Sequence, residues 1–378
     1  MTAAHLYDFA IIGAGIAGAS AAYRLAPHAS VVVLERESQP GYHSTGRSAA
    51  MFMETYGTPH IQALTRASRA FYQSPPQHFT EHPILSPRGV LYLATHHQKD
   101  LLQQTYDAYR QYSDNVELIS AGDAQARVPC LRSETLYGAV AEPDARDIDV
   151  HALHQGFLRG MRDAGAHLAN NAELTRAKPE NGIWILTLAN DEQIRARHIV
   201  NAAGAWADHV AALCGAKPLG LQPCRRTAFT FAGPENMAFA DWPAVVGVDE
   251  SYYFKPDAGQ LLGSPANADP VDAHDVVPEE LDVATGIYRI EEATTLTIRR
   301  PKHTWAGLRS FVRDGDFAVG WDNATPGFFW LAAQGGYGIQ TAGATSELAS
   351  ALLLRRPVPA ELREHGVDAA LADPNRLR

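Results

Sequence analysis

The chain has 378 residues, 46% of them hydrophobic, which suits two intimately joined domains rather than one small core. Its 32 Lys and Arg stand against 42 Asp and Glu, and the resulting net charge of -10 argues against a nucleic-acid partner or simple electrostatic adhesion to anionic lipid. Three cysteines, Cys130, Cys214 and Cys224, form neither a CxxC pair nor a metal-ligand spacing, so no metal site and no disulfide framework are expected, but reduced thiols in a cytoplasmic protein.

The opening Met1-Thr2-Ala3-Ala4-His5 has no basic region and runs into an apolar strand, unlike a secretory leader. No apolar stretch reaches the roughly 20 residues needed to cross a bilayer, so delivery of electrons to a membrane pool would have to be peripheral. Phe9 to Ile12 predicts the first strand, followed by Gly13-Ala14-Gly15-Ile16-Ala17-Gly18 at the start of a helix. A second strand, Ser30 to Leu34, ends in Glu35, 17 residues after the last glycine. This spacing is that of a dinucleotide-binding βαβ unit: the glycines let backbone approach a pyrophosphate at a partially positive helix N-terminus, and the acid accepts hydrogen bonds from an adenosine ribose. The motif by itself leaves FAD and a nicotinamide cofactor equally open.

Gly41 to Tyr56 is rich in Gly, Ser and Thr and reads as a loop crossing over the cofactor. Helices are predicted over 61–72, 99–112 and 149–164, and strands over 89–95, 183–189 and 194–203, the last running into Asn201-Ala202-Ala203-Gly204. Between residues 221 and 322 the pattern changes to longer alternating segments, such as 225–231 and 252–255, with a helical stretch over 278–293. An antiparallel sheet with a covering helix is expected there. A buried strand over 328–332 and the turn Gln334-Gly335-Gly336-Tyr337-Gly338 introduce a last helix over 339–354.

A strand ending in Asn-Ala-Ala-Gly and a late glycine-rich turn, added to the first motif, resemble the D-amino-acid oxidase-like FAD flavoproteins. Longer blocks, among them His43 to Ala50, Leu221 to Arg226, Lys255 to Gly259, Gly263 to Asp269, Trp305 to Phe311 and Ala333 to Thr341, look like the D-arginine dehydrogenases of bacteria. The likeness spans nearly the whole chain. It implies an α/β fold with a Rossmann-like FAD-binding domain of the glutathione-reductase type in residues 1–84, 149–220 and 323–378. An interleaved α+β substrate domain, built on an antiparallel sheet, would take residues 85–148 and 221–322.

The implied activity is oxidation of D-amino acids to imino acids by hydride transfer from Cα to flavin N5, with hydrolysis to 2-oxo acids and ammonia. The implied FAD is noncovalent, and the electron acceptor is something other than oxygen, a quinone being one candidate. FAD would lie against Gly13, Ala14, Gly15, Ala17, Gly18, Glu35, Arg36, Ser44, Thr45, Gly46, Arg47, Ser48, Ala49, Leu174, Gly204, Gly335, Gly336, Tyr337, Gly338, Ile339 and Gln340. The helix opened by Gly335 to Gln340 offers N–H groups to negative charge at the flavin's pyrimidine end.

Arg309 is the first candidate for the substrate carboxylate, because a planar guanidinium pairs bidentately with a carboxylate and the surrounding 305–311 stretch is apolar. Arg225 and Arg226 face opposite ways on a strand, so at most one enters the site. The family block points to Arg225. Tyr56, Tyr253 and Gly336 match positions near the substrate carboxylate and amine, and no general base stands out; His43 is a lone loop histidine. In the side-chain pocket, Met51, Met53, Ala244 and Val246 depart from the D-arginine enzymes. Met51 replaces a histidine and Met53 a threonine, Ala244 stands where they have methionine, and Gly89-Val90 follows Pro87-Arg88 where they have a glutamate. Losing that guanidinium partner removes a contact worth about 1.5–3 kcal/mol. Apolar or aromatic D-amino acids are therefore expected to outrank D-arginine. An oxygen-using amine oxidase of glycine or sarcosine type is the alternative on the same fold; a nicotinamide enzyme would leave the middle and late blocks without a role.

Overall fold

A computed structural model of the chain describes residues 5–378; the opening segment Met1 to Ala4, read above as no leader, lies outside them. The strand Leu6–Ile12 sits between Val31–Leu34 and Gln193–Asn201, parallel to both. Val31–Leu34 continues to His167–Ala169 and Gln193–Asn201 to Phe328–Ala332, so five parallel strands form the centre of the first sheet. Hairpin Leu174–Glu180 and Ile183–Leu188 extends it on one side, and Ala318–Trp321 pairs antiparallel with Phe328–Ala332. The Val31–Leu34 run is buried on both faces, as a parallel sheet requires.

The helix Ile16–Leu25 turns its small residues, Gly18, Ala19, Ala21 and Ala22, inward, which lets it pack closely against helices Val150–Asp163 and Gly338–Leu353. Asp149 starts the former by accepting from Ala152 N–H at 2.8 Å. Thr58 and a proline in the first turn start helix Pro59–Gln73, which packs on Gly338–Leu353.

The second sheet has nine strands and is antiparallel apart from one parallel pair, Val90–Thr95 with Ala244–Gly247. Its longest pairing, Gln222–Phe231 with His303–Phe311, runs over nine registered residue pairs from Gln222 opposite Phe311 to Thr230 opposite His303, and helix Glu280–Ala293 covers one face. Met51–Phe52, Arg146–Ile148 and Leu85–Pro87 form a third, three-stranded sheet. The two large sheets meet where Ser44 Oγ donates to Leu308 O at 2.7 Å and Ser310 bridges to Gly335.

Two expectations need correction. The boundary placed at 322/323 cuts through a hairpin, because Ala318–Trp321 pairs with Phe328–Ala332 and so belongs to the first sheet. Residues 41–56 are also not loop throughout: Met51 pairs with Asp147 and Phe52 with Arg146. A two-residue strand in a Gly- and Ser-rich stretch is too short for periodicity to reveal. All three cysteines are buried and free. No helix among the described residues is long and apolar enough to cross a membrane.

Candidate active site

The glycine turn is locked by chain-on-chain contact. Gly13 holds φ +100, and a Cβ added there would stand 2.6 Å from Ala202 O; one added to Gly18 would stand 1.9 Å from Gly13 O. Glu35, buried at the end of the second strand, accepts from Ala14 N–H at 2.8 Å and from Glu37 N–H at 3.0 Å, which leaves lone pairs free on both carboxylate oxygens. Thr45 Oγ1 accepts from Ile16 N–H at 2.9 Å. His154 Nε2 lies 2.9 Å from Ala14 O, a tie that sequence reasoning missed because it joins residues 140 positions apart.

Two connected chambers open along this turn, with cavity volumes of about 130 and 140 Å3. The first is lined by Gly13, Gly15, Glu35, Arg36, Ser44, Thr45, Leu174 and Gly204, with Arg36 stacked 4.8 Å over Trp206. Gly15, Ser44, Thr45 and Gly204 are shared with the second, which continues past Arg47, Ser48 and Ala49 to Gly335, Gly336, Gly338 and Ile339. An acid at one end and a helix N-terminus at the other suit an elongated dinucleotide.

Not every expected cofactor residue faces this space. Ala14 and Gly18 are buried beneath the turn, Ala17 is half-buried on the helix, and Gly46 is used in a turn, its N–H donating to Gly41 O at 2.8 Å. Arg47 spends its guanidinium on Asp275 at 2.5 Å and on the carbonyls of Val276 and Ala306. Gln340 donates to Thr65 at 2.9 Å, and the Tyr337 ring packs edge-on against Tyr56, 4.9 Å between centroids.

The far end of the second chamber holds Arg226, Tyr253, Arg309 and Gly336. Tyr56 joins them: Arg309 Nη1 donates to its hydroxyl at 3.1 Å. A Cβ on Gly336 would sit 2.7 Å from Arg309 Cζ, so glycine is what lets the guanidinium lie against this turn. Among the described residues neither Arg226 nor Arg309 has a carboxylate within salt-bridge distance. Burial and the repulsion of Arg309 push the Arg226 pKa down, with Tyr253 and Tyr56 opposing. Burial also disfavours charge on Arg309, but Tyr56 and Tyr253 outweigh it and raise its pKa. Two cations thus face one space with no carboxylate in contact, and Glu250 at the pocket mouth favours charge on Arg226 from farther off.

Arg225, expected in the site, faces the other side of the sheet. It lies 3.0 Å from Asp282 and 3.5 Å from Asp269, and also pairs with Glu279. The strand alternation is as expected, but helix Glu280–Ala293 brings its acids to the Arg225 face, so Arg226 is the residue that enters the chamber.

An adjoining pocket, about 100 Å3 of cavity, is lined by Met51, Met53, Ala244 and Val246, with Tyr56, Tyr92 and Ile339. Sequence reasoning did not single out Tyr92, Lys255 or Glu250, which also border it. Lys255 is buried and paired with Asp147 at 2.8 Å, whereas Glu250 is exposed at the mouth. For Lys255 a signal existed: it is two residues from Tyr253 on one strand and so shares its face. The His43 ring lies 2.9 Å from Glu37, outside this end of the site.

The model of a family described as DAO, FAD dependent oxidoreductase, matches residues 8–352. The chain belongs to the DAO family of FAD-dependent oxidoreductases. Glycine oxidase of Geobacillus kaustophilus is 24% identical to this DAO-family chain over 372 residues, covering 95% of the chain and 96% of the relative. The sarcosine oxidase subunit beta of Rhizobium meliloti is 24% identical over 366 residues, with 93% and 85% covered. The crystal structure of the Geobacillus glycine oxidase superposes with a TM-score of 0.85 at 23% identity over 98% of the chain and 99% of its own length. That of L-proline dehydrogenase from P. horikoshii gives 0.82 at 20% over 99% and 98%. FAD is therefore the cofactor, and the fold expectation holds. The narrower likeness to D-arginine dehydrogenases finds no support in these relatives, which are named glycine oxidase, sarcosine oxidase subunit beta and L-proline dehydrogenase.

Proposed function

We propose that this DAO-family protein oxidises the α-carbon of an amino acid bearing an apolar side chain, of D configuration, to the imino acid. The observation that carries the reading is the pair of guanidiniums, Arg226 and Arg309, which converge on the far end of the second chamber without a carboxylate in salt-bridge contact. A substrate carboxylate would supply the missing charge, with Arg309 offering its planar fork and the Tyr56 and Tyr253 hydroxyls adding donors. The same two cations disfavour protonation of an amine held beside them, which promotes the neutral form that oxidation needs in a chamber without an evident base. Bound FAD supplies the electron-pair acceptor at flavin N5. Gly336 and the first turn of helix Gly338–Leu353 offer backbone N–H groups to negative charge at that end.

The pocket beside the arginines supports a substrate with a side chain. Glycine would leave its roughly 100 Å3 empty, and the two methionines can adapt to several apolar shapes. The D configuration rests on the sequence blocks quoted above. A second reading, an oxygen-using oxidase of glycine or sarcosine, is favoured by the names of the relatives.

Anaerobic mixing of the FAD-loaded protein with glycine, sarcosine and both enantiomers of leucine, methionine, phenylalanine and arginine separates these readings. Flavin bleaching by the apolar D-amino acids is expected, with kcat/KM exceeding that for D-arginine by at least about tenfold, the effect of one lost charged contact. A higher value for D-arginine would refute the pocket argument. Bleaching by glycine and sarcosine alone, with stoichiometric peroxide in air, would establish the second reading instead.

A further inference from the structure

Behind the substrate pocket, on a strand the reaction does not use, lies a carboxyl group with almost no contact with water. Glu142 ends the strand Leu136–Glu142 opposite Val90 and is 3% exposed. Burial pushes its carboxyl up to about 7, against the hydrogen bonds it receives from Thr55 and Glu54. A buried acid is costly to keep, so what it holds is informative.

It holds one short loop. Glu142 Oε1 accepts from Glu54 N–H at 2.9 Å, and its Oε2 accepts from the Thr55 hydroxyl at 2.6 Å. Thr55 Oγ1 is also 3.4 Å from the hydroxyl of Tyr92, whose ring lines the side-chain pocket. From the other side Gln62 Nε2 donates to the carbonyls of Thr55 and Gly57 at 2.9 and 3.1 Å, and Arg69 pairs with the Glu54 side chain at 2.8 Å. These anchors grip the residues flanking Tyr56, whose own N–H donates to Met53 O at 3.4 Å, while the Tyr56 side chain is left to reach Arg309. Met53, at the start of the loop, lines the pocket.

We propose that Glu142 is a positioning residue for the substrate carboxylate: by fixing the loop from Met53 to Gly57 from beneath, it sets where the Tyr56 hydroxyl stands beside Arg309. The inference rests on the reading above that Tyr56 and Arg309 bind that carboxylate. Glu142 touches neither substrate nor cofactor and acts through Thr55 and the Glu54 amide.

The test uses the FAD-loaded protein, with benzoate as a carboxylate probe read by its perturbation of the flavin spectrum, and KM and kcat for the best amino-acid substrate. E142L removes both acceptors and should weaken benzoate and raise KM about tenfold, the effect of one lost hydrogen bond, with a smaller change in kcat. E142Q keeps a carbonyl for Glu54 N–H and should restore most of the affinity. In a Y56F background E142L should add nothing further, because the effect passes through that hydroxyl. T55V cuts the hydroxyl link alone and serves if E142L does not fold, with the same direction expected. A lowered Tm in E142L or T55V with benzoate affinity and KM unchanged, while Y56F shifts both, would overturn the positioning role and leave the carboxylate reading intact. Unchanged values in Y56F itself would remove Tyr56 from the carboxylate site and the inference with it.

Discussion

Replacing Arg309 with methionine is expected to lower kcat/KM about 100- to 10,000-fold, with FAD still bound. Two charge-assisted hydrogen bonds of about 1.5–3 kcal/mol each are lost from the substrate carboxylate, and 1.4 kcal/mol is a factor of ten. Methionine keeps much of the volume, so Gly336, whose α-carbon backs directly onto the guanidinium, retains a packed neighbour. Arg309→Lys should recover little, because an ammonium cannot reproduce the planar fork. Arg226→Met should lower kcat/KM as well, by about tenfold or more, since a single charged hydrogen bond is worth that much. Arg225→Met is the control on the same strand: it should leave kcat/KM near the native value and lower the Tm, because it abandons Asp282, Asp269 and Glu279. Steady-state kinetics and thermal melts of the three variants check the assignment. A large kinetic loss in the Arg225 variant with none in the Arg226 variant would reverse it.

The second large effect is expected at Gly18. A Cβ there would overlap a backbone oxygen, Gly13 O, at 1.9 Å, and no side-chain rotation relieves a backbone contact. Gly18→Ala should force helix Ile16–Leu25 off the glycine turn, at the upper end of the roughly 1–3 kcal/mol typical of overpacking. The protein should purify largely without FAD, bind added FAD about 100-fold more weakly, and melt lower even as apoprotein, each decade being 1.4 kcal/mol. At Gly15 the added Cβ meets only the Thr45 hydroxyl at 3.2 Å, so Gly15→Ala should leave the apoprotein Tm close to native. The ratio of flavin to protein absorbance and apoprotein melts distinguish the two. Full FAD content in Gly18→Ala would mean that the close approach of helix to turn is not what shapes the site.

These sites differ in how far they could be read without a structure. The glycine turn and Glu35 are legible because local spacing specifies them: strand, turn, helix and acid succeed one another within 30 residues. Arg225 and Arg226 show where that reasoning stops. Alternation establishes that they part, but which side is the chamber depends on helix Glu280–Ala293, which brings Asp282 against Arg225 from 57 positions away. Glu142 lies in an ordinary strand, and nothing in Leu136 to Glu142 announces that Thr55, 87 positions earlier, will lie over its carboxylate. The hairpin of Ala318–Trp321 with Phe328–Ala332 escapes sequence reasoning for a similar reason. Its first strand follows a substrate-side segment in sequence but pairs with the parallel sheet in space.

The central claim is that the chamber recognises an α-carboxylate through Arg226 and Arg309 while the adjacent amine-bearing carbon is oxidised. It is tested most directly by anaerobic flavin reduction with the best amino-acid substrate and, at equal concentration, with the amine obtained by removing its carboxylate. Rapid bleaching by the amino acid and reduction slower by at least about 100-fold with the amine is the expected result, matching the loss of two charged contacts. Comparable rates for the two would contradict it, because the paired guanidiniums would then contribute nothing to the reaction.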